Sequence, residues 1–292
     1  MSKYALYPGC SMETGGIEYA ISSDAIAEAL GIDFLEVPDW NCCGASSAHM
    51  TDHLLSLALP ARIMALAETL PVTEIVAPCA ACHARMAAVE YELGRDNDLK
   101  QKVNSLLERP YTGKVKLKYY IDVFSNPDTL SQIEKSVKKP LEGLKVACYY
   151  GCLFVKPPKM VNFIDDPENP QSMDNIIRAL GAEPIPWPYK TECCGASLGV
   201  TDEDLCNKLC NDILRFARDA GADCISAACP LCQANLDMRQ VTVEKKYGIS
   251  YRMPIPFFTQ LIGLALGINP NSLGMKKLFV DPARMLKKLG VA

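Results

Sequence analysis

The chain has 292 residues, enough for two domains of ordinary size that each bury a core. Its 30 basic and 34 acidic side chains are well mixed and leave a net charge of −4, so there is no basic face of the kind that nucleic acid or anionic lipid selects. The most apolar segment, Phe257 to Ile268, is about half the roughly 20 residues that a spanning helix needs and reads as a buried or interface helix.

Lys3 to Tyr7 suits a short buried strand, and Pro8-Gly9-Cys10 turns out of it. From Thr14 apolar residues recur at helical spacing until Gly31 closes the helix; Ile32 to Val37 reads as the next strand and leads through Pro38-Asp39-Trp40-Asn41 into Cys42-Cys43-Gly44. A helix from Thr51-Asp52 to about Leu70, with Pro60 as a kink or break, precedes a third strand at Glu74 to Ala77 and a helix over Ala80 to Leu93. Asp96 to Ser136 is more polar, with a strand at Val115 to Tyr120 and a helix at Thr129 to Val137. Lys138 to Gly143 reads as a linker and divides the chain into domains 1–140 and 141–292.

The second domain opens with a strand at Leu144 to Tyr149 and a proline-rich loop from Val155 to Gln171. A helix over Ser172 to Leu180 and a strand at Glu183 to Pro186 lead to Cys193-Cys194-Gly195. Thr201-Asp202-Glu203-Asp204 resembles a capping box for a helix to Ala220. A strand at Asp223 to Ala228, a helix over Leu231 to Lys246 and a tail with two more helical segments complete the chain.

Each half therefore carries a cysteine, then Cys-Cys-Gly, then Cys-x-x-Cys. Cys10, Cys42, Cys43, Cys79 and Cys82 are separated by 31 and 35 intervening residues, and Cys152, Cys193, Cys194, Cys229 and Cys232 by 40 and 34. Gene duplication with drifting loops accounts for the repeat. The order strand, cysteine, helix, three times over, predicts an α/β fold of two duplicated domains, each a parallel βα sheet. Right-handed connections would then bring all five cysteines of a half to the carboxyl edge of its sheet, where open α/β folds bind ligands.

Five thiolates exceed the four that structural zinc or an ordinary cubane cluster takes, and their mutual repulsion favours several metal ions over one. Adjacent cysteines in extended chain point to opposite sides, which suits separate irons of a larger cluster, while the glycines beside them would admit close approach to inorganic sulfur. A disulfide framework fits poorly with the exact repeat and with a start, Met1-Ser2-Lys3-Tyr4-Ala5-Leu6, that lacks a signal-peptide core; an intracellular, cytoplasmic chain is expected. Zinc in one half and a thioredoxin-like Cys79–Cys82 or Cys229–Cys232 pair are the competing readings. Cys148, Cys206, Cys210 and Cys224 are expected to pack in the core. His49 and His53 are candidates for a role beside the first cysteine pair or for a solvated helix start, and His83 has no assigned role. Arg62, Arg85, Lys156, Lys159 and Arg239 are candidates for anion binding or surface.

This doubled pattern resembles the cysteine-rich CCG domain family, and within it the B subunits of heterodisulfide reductases of methanogenic archaea. Tyr7-Pro8-Gly9-Cys10 and the tail Phe258-Thr259-Gln260-Leu261-Ile262-Gly263-Leu264-Ala265-Leu266-Gly267 are also similar. The resemblance implies two noncubane 4Fe-4S clusters, one on Cys10, Cys42, Cys43, Cys79 and Cys82 and one on Cys152, Cys193, Cys194, Cys229 and Cys232, in domains related by a pseudo-twofold axis. It implies reduction of the mixed disulfide of coenzyme M and coenzyme B, a step of methanogenesis. The chain has no ferredoxin cysteine run and no flavin fingerprint, so electrons must come from outside. The resemblance supplies a ferredoxin-like C subunit, a flavin-containing A subunit and a hydrogenase or formate dehydrogenase module in an electron-bifurcating complex, with the apolar tail helix as a candidate contact. Electron transfer within a quinone-linked oxidoreductase is the alternative that the same family offers.

Overall fold

The computed structural model describes residues 2–45, 48–161, 163 and 165–291; Ser46, which follows the first cysteine pair, lies outside them. The first half runs β1 (Lys3–Leu6), α1 (Gly9–Glu13), α2 (Ile17–Leu30), β2 (Asp33–Glu36), α3 (Ala48–Thr51), α4 (His53–Ala67), β3 (Glu74–Ala77), α5 (Ala80–Leu93), α6 (Asn97–Asn104), β4 (Lys116–Tyr119), α7 (Asp122–Ser125) and α8 (Pro127–Ser136). The second runs β5 (Lys145–Tyr149), α9 (Cys152–Val155), α10 (Pro158–Val161), α11 (Ser172–Ala179), β6 (Glu183–Pro184), α12 (Glu203–Asp219), β7 (Cys224–Ala227), α13 (Pro230–Met238), α14 (Gln240–Tyr247), α15 (Phe258–Ala265) and α16 (Ala283–Lys288).

Both sheets are parallel, in the orders β2-β1-β3-β4 and β6-β5-β7. Their registers coincide: Lys3 lies opposite Asp33 as Lys145 lies opposite Glu183, and Ala5 opposite Ile75 as Ala147 lies opposite Ile225. Helices cover the sheets, so the central strands β1, β3, β5 and β7 read as apolar runs and are almost wholly buried. In the place where the first sheet has β4, the second has Pro254 to Phe257. The Pro254 and Pro256 carbonyls accept from Ile225 and Ala227 N–H (3.1 and 3.0 Å), and Phe257 bridges to Ala227 as Tyr119 pairs with Ala77. Neither proline has an N–H to donate, which keeps this segment from becoming a regular strand and hides it from strand periodicity.

The tail then crosses to the first half. Tyr19 of α2 stacks on Phe257 with ring centroids 4.0 Å apart and donates from its hydroxyl to the Ala228 carbonyl (3.1 Å), and Ser22 meets Thr259 at 2.7 Å. Every residue of α15 is buried, with Gln260 accepting from the Phe257 N–H (2.9 Å) and donating to the Leu273 carbonyl (3.0 Å). The apolar tail helix is therefore an internal seam and not a partner-facing surface. Among the described residues no helix is long and apolar enough to cross a membrane.

Two helix boundaries differ from expectation. The break near Pro60 falls instead at Asp52, whose side chain accepts from the Leu55 N–H (2.7 Å) and caps a helix that continues through Pro60. The expected helix over Leu231 to Lys246 divides at Arg239 into α13 and α14.

Candidate metal centre

Each cysteine follows the carboxyl end of a strand. Cys10 is in the first turn after β1, Cys42 and Cys43 lie in the loop after β2, and Cys79 caps α5 with Cys82 one turn inside; Cys152, Cys193, Cys194, Cys229 and Cys232 repeat these places after β5, β6 and β7. Adjacent cysteines do part: Cys42 and Cys193 are exposed, whereas Cys43 and Cys194 are each 3% exposed.

The sulfurs make contact in an ordered way. Cys43 Sγ is 3.2 Å from Cys82 Sγ, and Cys82 also meets Cys79. In the second half Cys194 meets Cys232, which meets Cys229. Cys79 and Cys229 meet one another across the two halves, so six buried sulfurs form one string. The remaining four form outer pairs, Cys10 with Cys42 and Cys152 with Cys193, which reach the surface. All ten predicted residues are thus brought together as two sets that touch at one point.

Contact between thiols divides their acidity. A hydrogen bond from Cys82 lowers Cys43 to about 7, and one from Cys152 lowers Cys193 to about 6. The donors shift in the opposite direction: Cys82 is raised by its bond to Cys43 and by burial, and Cys152 by its bond to Cys193 and by burial. Cys229 is lowered by Cys232 and Cys79, with the Ala80 N–H at the start of α5, in the other half, adding to the effect.

Glycine makes room for this packing. A Cβ on Gly9 would stand 3.3 Å from Cys82 Sγ, and one on Gly151 would stand 3.1 Å from Cys232 Sγ. Gly44 and Gly195, with φ of 76° and 75°, turn their N–H groups back onto Cys42 Sγ (3.4 Å) and Cys193 Sγ (3.3 Å). These amides serve the cysteine sulfurs themselves. Among the described residues no three Cys, His, Asp or Glu side chains converge on a position that one ion would fill. A soft, all-sulfur donor set of five per half, with cradles that a Cβ would fill and amides directed at sulfur, fits an iron-sulfur group.

Two tyrosines join the site that cysteine spacing alone does not reveal. Tyr7 donates to the Asn41 carbonyl (3.0 Å) and Tyr149 to the Glu192 carbonyl (2.6 Å), so each holds the peptide that enters its own cysteine pair. Burial and the adjacent thiols raise both phenols. The signal is present in the sequence, since a tyrosine stands two residues before each Gly-Cys. Lys190, buried with Asp174 at 2.7 Å, anchors the second site, where its carbonyl accepts from Tyr150 and Gly151.

The other candidates separate clearly. His53 is exposed and bonds Glu92 at 2.8 Å, and His49 is exposed on α3; both are solvated. His83 is buried against Tyr119, 3.9 Å between rings, and burial lowers it to about 3. Arg62 donates to the Asp39 carbonyl (2.7 Å) and Asn41 Oδ1 (3.1 Å), so it pins the loop before Cys42. Cys148 and Cys224 are core residues, as expected. Cys206 and Cys210 are also buried, yet both lie against the Cys194 carbonyl, at 4.0 and 3.4 Å.

Residues 4–87 and 146–237 match the model of the cysteine-rich domain (CCG) family. The chain is 34% identical over 286 residues, covering 97% of its length and 99% of the relative's, to the 8-methylmenaquinol:fumarate reductase membrane anchor subunit of Wolinella succinogenes. It is 32% identical over 299 residues, covering 99% of its length and 97% of the relative's, to the B subunit of the ferredoxin:CoB-CoM heterodisulfide reductase of Methanosarcina mazei. A hypothetical protein from Helicobacter pylori shares the fold with a TM-score of 0.75 at 14% identity, over 96% of this chain and 52% of that one.

Proposed function

Because the chain belongs to the cysteine-rich (CCG) domain family, we propose that it is the disulfide-reducing subunit of a heterodisulfide reductase complex, with domains 1–140 and 141–292 each holding one noncubane 4Fe-4S cluster. The observation that carries this reading is the joined pair of complete five-cysteine sets, six sulfurs buried and four at the surface. Cys10, Cys42, Cys43, Cys79 and Cys82 would hold one cluster, and Cys152, Cys193, Cys194, Cys229 and Cys232 the other. When bound, each cluster supplies one electron at a time.

The reaction takes two electrons and two protons into the coenzyme M–coenzyme B disulfide, breaks its S–S bond and releases two thiols. The chain's own residues set where this happens. The outer pairs Cys10–Cys42 and Cys152–Cys193 face the surface, where substrate enters, while the inner string excludes water and ties the halves together. Electrons come from a ferredoxin-like C subunit, fed by a flavin-containing A subunit and a hydrogenase or formate dehydrogenase module, in the cytoplasm.

The 34% identity to the fumarate reductase anchor protein supports a second reading, in which the chain is an electron-transfer subunit of a quinone-linked oxidoreductase. Metal analysis of anaerobically purified protein tests what the two readings share, with roughly eight irons and eight sulfides per chain expected. About four irons with one zinc would overturn the two-cluster mechanism. Assay of the complex separates the readings: reduction of the coenzyme M–coenzyme B disulfide by a viologen supports the first, and quinol-dependent turnover without disulfide reduction supports the second.

A further inference from the structure

The two halves support their buried cysteines differently. In the second half, Asn235 of α13 donates from Nδ2 to the Cys194 carbonyl (2.7 Å) and toward Cys210 Sγ (3.2 Å). Its Oδ1 accepts from Arg239 Nε (2.7 Å) and faces Cys206 Sγ (3.5 Å). The amide therefore has one orientation only, because a guanidinium N–H can only donate and a peptide carbonyl can only accept. Arg239 extends the contact by donating from Nη2 to the Gly199 carbonyl (2.8 Å), so the loop from Cys194 to Gly199 is tied at both ends, to α13 and to the residue that caps it.

The first half is held differently: Asn41, whose Oδ1 accepts from Arg62 (3.1 Å), donates from Nδ2 to the Cys42 carbonyl (2.9 Å) and the Leu59 carbonyl (3.2 Å), and among the described residues no side chain donates to the Cys43 carbonyl. The two halves align with an offset of 150 between Cys79 and Cys229, and the same offset relates the helix caps Asp52 and Asp202. Cys206, Cys210, Asn235 and Arg239 then fall on Ser56, Pro60, Arg85 and Val89. Ser56 bonds its own helix at the His53 carbonyl (2.7 Å), Pro60 has no N–H, Val89 has no polar group, and the half-buried Arg85 is not hydrogen-bonded to the Cys43 carbonyl.

We infer that Asn235, oriented by Arg239, is a positioning residue that holds Cys194 in place, and that it makes the two metal centres inequivalent. Its meaning for redox chemistry rests on the reading of Cys194 as a cluster ligand. With the Cys194 carbonyl and its loop clamped, the C-terminal centre keeps a fixed ligand geometry, while Cys43 in the N-terminal centre is held at its sulfur, by Cys82, Tyr7 and the Ala45 N–H.

Thiol labelling and metal release test this in the full-length chain. In metal-free, reduced protein, iodoacetamide labelling resolved by peptide mass spectrometry reads the rate at Cys194 relative to Cys43. Asn235→Asp, which replaces the donating amide by an acceptor of equal size, is expected to raise that ratio about tenfold, as the loss of one buried hydrogen bond implies. Arg239→Lys keeps the charge but loses the fork, and is expected to raise it in the same direction. An unchanged ratio in either variant overturns the inference. In iron-loaded protein a chelator is expected to remove one half of the iron faster from Asn235→Asp and the other half at the parental rate, whereas equal acceleration of both halves would show general loosening and also overturn it. A parental protein that binds no iron would sink the cluster reading, and the labelling ratio would still decide whether Asn235 holds Cys194.

Discussion

Replacing Gly151 by alanine tests the closest approach of a glycine to a cysteine sulfur in the second site. Gly151 has φ 77° and ψ 172°, a region that is nearly closed to residues with a Cβ and costs on the order of 1–3 kcal/mol to occupy. The added methyl would also stand 3.1 Å from Cys232 Sγ, which must shift along with its neighbours Cys194 and Cys229, and such overpacking costs about 1 kcal/mol or more. Gly143 is a control for a positive φ without a contact, because it has the same φ of 77° and an added Cβ there would meet nothing within 4 Å. Gly143→Ala therefore reports the strain of a positive φ without overpacking, on the order of 1–3 kcal/mol. Anaerobic urea unfolding of both variants, with iron content measured on the same samples, separates the contributions. Gly151→Ala is expected to unfold earlier than Gly143→Ala and to retain about half of the parental iron. Equal midpoints and equal iron would refute the claim that glycine is present to admit the Cys232 sulfur.

Lys190→Met should destabilise the protein by about 3–5 kcal/mol, since it leaves Asp174 buried without its cation; denaturant unfolding should show partial recovery in the double variant Lys190→Met with Asp174→Leu. Tyr149→Phe and Tyr7→Phe each remove one hydrogen bond to the loop entering a cysteine pair, and each is expected to cost about 1 kcal/mol, read as a thermal midpoint lower by a few degrees. Asp122 is pushed up to about 6 chiefly by burial, with Lys118 opposing and Asp165 and Glu74 adding. Its folded value lies above the unfolded value of about 3.9, so the stability it contributes is present below about pH 4 and lost as pH rises through 6. Asp122→Asn should then equal the parent near pH 4 and exceed it by up to about 2 kcal/mol at pH 7, as urea midpoints at the two pH values will show.

The parallel βα units and the ten cysteines were legible because their signals are local: apolar runs of strand length, helical spacing, and cysteine motifs at repeated intervals. Glu74 to Ala77 and Ala80 to Leu93 coincide with the observed elements. What could not be read depends on distant partners. The segment from Pro254 to Phe257 fills a strand position by accepting hydrogen bonds only, so its prolines hide it from strand periodicity. Cys206 and Cys210 look like core residues on any helical projection, and only the arrival of Asn235 from another helix places the Cys194 carbonyl against them. Arg62 and Arg239 looked like free cations and are instead committed to carbonyls in the cysteine loops.

The late position of the segment that completes the second sheet bears on the order of events during synthesis. Pro254 to Phe257 and α15 close the edge beside β7, and Phe257 stacks on Tyr19, close to where Cys79 meets Cys229. At roughly 5–20 residues per second, a nascent chain waits about one to four seconds between the emergence of Cys232 and that of Pro254. During that interval the first half has all its strands, while the second presents an open edge and reactive thiols. A chain released after Arg252 should accordingly show Cys229 open to alkylation and a β7 edge prone to association, and metal insertion into the C-terminal centre should follow translation rather than accompany it.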